Sequence, residues 1–223
     1  NIDRDIATLV GVGSSICGGS AIAAAAPVIK ASDKDIAQSI SVIFLFNVVA
    51  AFLFPALGDM LGFTDTGFGM WAGTAINDTS SVVAAGQTWA SAHGSDTALN
   101  YATIVKLTRT LAIIPICLGL AYITSKTKNT AADVKITSIF PMFILYFVMA
   151  AIFNTLAGKS LPVLAQLPSI GKFMIAMAMA AIGLNTNLVS LVKSGGKPIL
   201  LGLVCWIFIA LVSIGMQHVL GIW

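Results

Sequence analysis

Asp78, Lys106 and Arg109 are ionisable residues that fall deep inside otherwise apolar runs of this sequence. A charged side chain at the centre of a bilayer costs about 2.5–3.5 kcal/mol even on the mildest scale, so the default reading of all three is functional. Lys106 and Arg109 stand three positions apart and therefore share a helix face. One carboxylate against two cations leaves a positive surplus. That surplus suits an anionic substrate, whose oxygens Arg109 would take in bidentate fashion. The bland alternative is an Arg109–Asp78 ion pair, with Lys106 stretching its stem toward an interface.

Two glycine- and serine-rich stretches supply the complementary chemistry. One holds Ser14, Ser15, Cys17, Gly18, Gly19 and Ser20, and the other Thr74, Asn77, Asp78, Thr79, Ser80 and Ser81. Each glycine inside a helix costs about 1 kcal/mol relative to alanine, so the backbone is expected to unwind there. Unwound backbone persists at membrane depth only where protein covers it or a cavity adjoins it. Its free N–H groups, the helix N-termini and the hydroxyls are anion donors. These residues with Lys106 and Arg109 form the expected substrate site. Asp78 is the expected coupling residue, taking a proton or holding a sodium ion. Close packing of small residues between helices is the competing explanation.

The elements that position these groups follow from composition. Of 223 residues 57% are apolar and 9% charged, against roughly 25% charged in a soluble domain, and the mean hydropathy is +0.94. The charged set holds Asp but no Glu, and Lys far outnumbers Arg. Such a chain must face lipid or protein over most of its surface. A helix needs about 20 apolar residues to cross a bilayer. Stretches of that kind run over 6–29, 36–57, 68–90, 98–124, 136–156, 170–192 and 198–223, the first and third carrying the polar interruptions. The dispersed net charge of +3 excludes nucleic acid as a partner. Cys17, Cys117 and Cys205 lie apart in apolar runs and read as small buried thiols. The methionines around Met174, Met177 and Met179 read as packing, and His93 and His218 have no metal or hydrolase spacing around them. Asn47 and Asn154 read as links between neighbouring helices, and Asn185, Thr186 and Asn187 form a third polar patch. No enzyme signature, metal site or cofactor is expected.

At an offset of 60 residues the two polar stretches align: Gly13 falls on Gly73, Ile16 on Ile76, Ser20 on Ser80, and Pro55 on Pro115. Residues 1–60 and 61–120 are thus expected to be repeat copies, with further helices over 121–223. Transporters place their sites between such copies. Cytoplasmic loops collect Lys and Arg. If the third stretch enters and leaves on one side, Arg4, Lys30, Lys34, Lys126, Lys128, Lys135, Lys193 and Lys197 face the cytoplasm, while Asp59, Asp65 and Lys159 face outward. If the first stretch also re-enters, the copies are inverted. A broken helix that crosses is the competing geometry.

The motifs GSSICGGSAIAAAAPVI and FGMWAGTAINDTSSVVAAG, with KLTR at 106–109 and the late AMAMAAIGLNTNL, resemble the YeiH-like family of bacterial inner-membrane proteins, whose members are labelled sulfate exporters. The resemblance spans essentially the whole chain. It implies kinship with bile-acid-type transporter folds and further N-terminal spans, so the chain is expected to be the C-terminal two thirds of a longer protein. The expected fold is all-α: a single polytopic helical membrane domain in the inner membrane, with two polar, broken or re-entrant segments in an inverted repeat. The expected function is secondary transport of a small anion, inorganic such as sulfate or an organic sulfonate or carboxylate, by alternating access. Lipid and further copies of the chain in a homo-oligomer are the other expected partners. A proton- or sodium-coupled cation antiporter and a channel or membrane sensor are the alternatives.

Overall fold

The first polar stretch folds as a helix, a break and a second helix. In the computed structural model, which describes residues 2–128 and 196–222 with a few isolated positions between 146 and 177, α1 (Arg4–Ser15) begins where the Asp3 carboxylate accepts the Asp5 N–H at 2.9 Å. It stops at Ile16, and α2 (Gly19–Ile29) starts three residues on. The turn between them requires Gly18 at φ +69°, ψ −125°, a backbone closed to residues with a Cβ. The Gly18 N–H closes that turn on the Gly13 carbonyl at 2.9 Å. After a left-handed C-cap at Lys30, Ser32 caps α3 (Asp33–Leu61) by accepting the Asp35 N–H at 3.2 Å.

The second stretch repeats the plan. α4 (Asp65–Ala75) breaks at 76–78, α5 (Thr79–His93) follows, and then α6 (Thr97–Thr110) and α7 (Ile113–Lys128). Adding 60 to a residue number carries the first break, 16–18, onto the second, and carries α3 onto α6 with α7. The turn at Leu111 and Ala112 has a local cause. Pro115 has no N–H to give the Leu111 carbonyl, so the chain tightens there to i→i−3 bonds such as Ile114 to Leu111 at 3.2 Å. The last described helix is α8 (Gly196–Leu220).

Both polar stretches fold as helical hairpins. In the second, Phe68 near the start of α4 stacks on Trp89 near the end of α5 at 4.1 Å, and the Trp89 indole donates to Asp65 at 2.8 Å. At the same mouth His93 meets Asp59, on the last turn of α3, at 3.0 Å. In the first, Arg4, Asp5 and Thr8 of α1 share a cavity of about 100 Å³ with Ile29 of α2 and with Leu120 and Thr124 of α7. Each half is therefore a helical hairpin whose two ends lie together, followed by a helical stretch long and apolar enough to cross a membrane. Three helical stretches are long and apolar enough to cross a membrane: Asp33–Leu61, Thr97–Thr124 and Gly196–Leu220. The expected spans 136–156 and 170–192 lie almost wholly outside the described residues, as do Asn154, Asn185, Thr186, Asn187, Met179, Lys135, Lys159 and Lys193.

The second hairpin is fixed on three sides. Trp71 stacks on Phe54 of α3 at 4.0 Å and donates its indole N–H to the Ala210 carbonyl of α8 at 3.2 Å. Thr74 and Ser213 of α8 share a hydroxyl hydrogen bond. On the third side α4 lies directly on α6, where Gly73 meets the Ala102 carbonyl. At the mouth, hydrogen bonds from the Trp89 indole and then the Ser95 hydroxyl hold the Asp65 carboxyl below its ordinary value. The stability this contributes is complete above the unfolded carboxylate pKa of about 3.9 and is lost as pH falls through the lower folded value. Asp65→Asn is accordingly expected to cost no more than about 1 kcal/mol at pH 7, given how exposed the group is. Melting curves of parent and variant should converge as pH falls below the ordinary carboxylate range.

Candidate functional site

The two hairpin tips meet beside α6, and the cations of α6 join them. Lys106 is fully buried, and its ammonium donates to the carbonyls of Ile16 at 2.8 Å and Ile76 at 3.0 Å. These acceptors are 60 residues apart, the same position in the two halves. Arg109 repeats the pattern one turn on. It donates through Nη2 to Ser14 O at 2.6 Å, through Nη1 to Thr74 O, and through Nε to Ser15 O at 2.9 Å, while Nη2 also faces Asn77 Oδ1 at 3.4 Å.

The acceptors are the C-terminal carbonyls of α1 and α4, which lack partners within their own helices and carry the negative ends of the helix dipoles. Two cations against two helix C-termini are complementary, and this explains how they reside in an apolar surrounding. It also changes the expected part of Arg109. Backbone carbonyls take three of its five N–H groups and Asn77 Oδ1 faces a fourth, so a bidentate grip on a substrate would have to displace one of these contacts. The Arg109–Asp78 ion pair does not form either: Arg109 turns its donors to Ser14, Ser15, Thr74 and Asn77, and Asp78 accepts from Ser80 and Ser81. Lys106 does not reach an interface.

Asp78 is instead the N-cap of α5. Its Oδ2 accepts the N–H groups of Ser80 at 3.0 Å and Ser81 at 3.3 Å, and the Ser80 hydroxyl closes on the same oxygen. Such a cap is worth about 1 kcal/mol. Behind it, the carboxamide oxygen of Asn47 on α3 accepts the N–H groups of Asn77 and Asp78. At the other tip the position 60 residues earlier is Gly18, and α2 begins there with no side-chain cap. The N–H groups of Gly19 and Ser20 have no hydrogen-bond partner among the described residues.

The remaining expected residues divide by what their polar atoms do. The hydroxyls of Ser15 and Thr74 bond back to their own helices, at Gly11 O (2.6 Å) and Met70 O (2.7 Å). Ser14 Oγ and Asn77 Nδ2 are buried without partners at the junction. Cys17 is buried in the first break, one residue before Gly18, and Ser20 and Thr79 sit on the first turns of α2 and α5. The contacts thus bring Ser14, Ser15, Thr74 and Asn77 onto Arg109 and their neighbours Ile16 and Ile76 onto Lys106, with Asp78 joined to Asn77 through the Asn47 amide. Sequence reasoning gave too little weight to Asn47, whose signal was a lone amide in a long apolar helix. It missed Ser213, which pairs with Thr74 across 139 positions and carries no signal of its own.

Residues 1–202 match the protein family described as Conserved hypothetical protein 698. The chain is 60% identical over 230 residues to a UPF0324 membrane protein of Streptococcus mutans, an alignment covering 100% of this chain and 67% of the relative. It is 58% identical over 228 residues to one from Streptococcus pyogenes, with the same coverage. A third relative, a UPF0324 membrane protein of Fusobacterium nucleatum, is 54% identical over 237 residues, covering 100% of this chain and 68% of its own length. No solved structure matches the chain.

Proposed function

We propose that this chain, which belongs to the Conserved hypothetical protein 698 family of membrane proteins, is the core of a secondary transporter that carries a small anion across the bacterial inner membrane by alternating access. What supports this most is an asymmetry between the two tips. At the second, a carboxylate of the protein already occupies the N-terminus of α5; at the first, α2 begins with no side-chain cap, and its Gly19 and Ser20 N–H groups meet no acceptor among the described residues. By analogy with the carboxylate of Asp78 in the second half, an anionic group suits the first. The charge balance agrees. The two helix C-termini, about −0.5 each, and the two N-termini, about +0.5 each, cancel, so Lys106 and Arg109 against Asp78 leave roughly one positive charge. A small oxyanion or carboxylate bound by Gly19 and Ser20 N–H, with the hydroxyls of Ser20 and Thr79 in reach, neutralises it. Asp78 is the coupling residue: among the described residues it supplies the carboxylate at the junction, and a proton or sodium ion there changes the field that the substrate meets. Arg109 and Lys106 hold the tips together and supply the positive field without touching the substrate.

The test is thermal stabilisation of the detergent-purified full-length protein by sulfate, methanesulfonate, acetate and chloride, each as sodium and as choline salts, with and without Gly19→Asp. A ligand that binds only the folded protein raises its stability by mass action, by about 2.7 kcal/mol at 100 times Kd. A Cβ on Gly19 meets nothing within 4 Å, and an aspartate on the first turn of a helix is favourable, so the variant is expected to fold as well as the parent. It should lose the response to whichever anion stabilises the parent. An anion response that survives in Gly19→Asp counts against this site. A response to sodium or pH alone favours cation exchange centred on Asp78.

A further inference from the structure

Asn47 lies at the middle of α3 and is 1% exposed, in a run of apolar residues. Its Oδ1 accepts two N–H groups, from Asn77 at 3.0 Å and from Asp78 at 3.2 Å. Two backbone donors on one atom fix that end of the amide as oxygen, so the nitrogen faces away from the second tip. On the nitrogen side stands the first tip: a Cβ on Gly18 would lie 3.5 Å from Asn47 Nδ2 and 3.7 Å from the Asn77 carbonyl. One neutral group therefore spans the junction, with its acceptor toward the hairpin that holds Asp78 and its donor toward the hairpin that holds Gly18.

We propose that Asn47 is a positioning residue that sets the opposite polarity of the two tips, locking the Asp78 turn onto α5 and presenting a donor beside Gly18, and that it thereby selects an anion at the first tip. This deepens the transport reading and rests on it. Neither obvious replacement reproduces the arrangement. Leucine leaves the Asn77 and Asp78 N–H groups buried without an acceptor. Aspartate keeps an acceptor for both of them and turns a second acceptor toward Gly18, which reverses the sign met by an anion.

The experiment reads the anion concentration that half-saturates thermal stabilisation of the full-length protein in detergent, for the parent, Asn47→Asp and Asn47→Leu, using sulfate, methanesulfonate and acetate at matched ionic strength. The expected result for Asn47→Asp is a melting temperature near that of the parent, with at least a tenfold higher half-saturating concentration at pH 8. The affinity should recover toward the parent value at pH 5, as the new carboxyl takes up a proton and becomes a donor. Asn47→Leu should melt lower and bind at least threefold more weakly. A merely structural role lowers melting temperatures and leaves the half-saturating concentration where it was; that result, in either variant, overturns the proposal. Should Asn47→Asp give no folded protein, Asn47→Leu, which buries no charge, decides. If none of the three anions stabilises the parent, the transport reading fails first and this inference falls with it.

Discussion

Lys106→Met is expected to destabilise the protein by about 2–5 kcal/mol and to abolish any anion response. Replacing a buried ion pair by apolar groups is often harmless, because both partners go at once. Here the partners are backbone carbonyls of Ile16 and Ile76, which no side-chain change removes. Both would stay in the interior without a donor, and hydrogen bonds to charged groups are worth about 1.5–3 kcal/mol each. The desolvation of the ammonium, which the substitution relieves, offsets part of this and sets the lower end of the range. The two hairpins would also lose a link that runs through one atom. The check is the melting temperature and yield of the purified variant beside Lys34→Met, an exposed site expected to stay within about 0.5 kcal/mol of the parent. A parent-like melt for Lys106→Met would mean that the two carbonyls find other partners, and the clamp would not be what joins the tips.

Gly73→Val is the second change with a large expected effect. A Cβ at Gly73 would stand 2.7 Å from the Ala102 carbonyl oxygen and 2.9 Å from Val105 Cβ. The first of these is backbone and cannot swing aside, so α4 must lift away from α6. Overpacking in a rigid core costs about 1–3 kcal/mol, and here the shift also draws Thr74 O and Ile76 O away from Arg109 and Lys106. The expected loss is at the top of that range or beyond it. Gly11→Ala provides the contrast, since a Cβ there meets nothing within 4 Å and the residue is inside α1. It should be neutral or stabilise by up to about 1 kcal/mol. Opposite signs for two glycine substitutions in equivalent hairpins, read by thermal melts, test the close approach of α4 to α6 directly.

Much of the fold can be read from the letters because membrane solvent leaves few options. Apolar runs over 36–57, 98–124 and 198–223 fold as helices long and apolar enough to cross a membrane, because every backbone group in lipid must be satisfied within a helix. Gly18 marks the first break and the polar run from Asn77 to Ser81 marks the second, and the offset of 60 residues carries one break onto the other. Proline behaved less simply. Pro55 and Pro115 align in the repeat, yet Pro115 lies next to a turn in the helical stretch and Pro55 lies inside the continuous α3. The site was legible as a set of residues and not as a set of contacts. Lys106 and Arg109 were expected to look for oxyanions because side-chain charges are visible in a sequence, whereas the carbonyls at a helix C-terminus have no letter of their own. For the same reason Asp78 was matched with a cation, although the nearest donors were the N–H groups of the helix it starts. Asn47 and Ser213 depend on pairings across 30 and 139 positions, which only the folded chain brings together.

The most direct measurement of the central claim is the current that follows a rapid anion jump on proteoliposomes of the full-length protein adsorbed to a solid support. Whichever of sulfate, methanesulfonate or acetate stabilises the protein in detergent should give a transient current that saturates with concentration, and Gly19→Asp should remove it while leaving the protein folded. A sustained conductance without saturation, or a current that Gly19→Asp leaves unchanged, would contradict an anion transporter with its site at the N-terminus of α2.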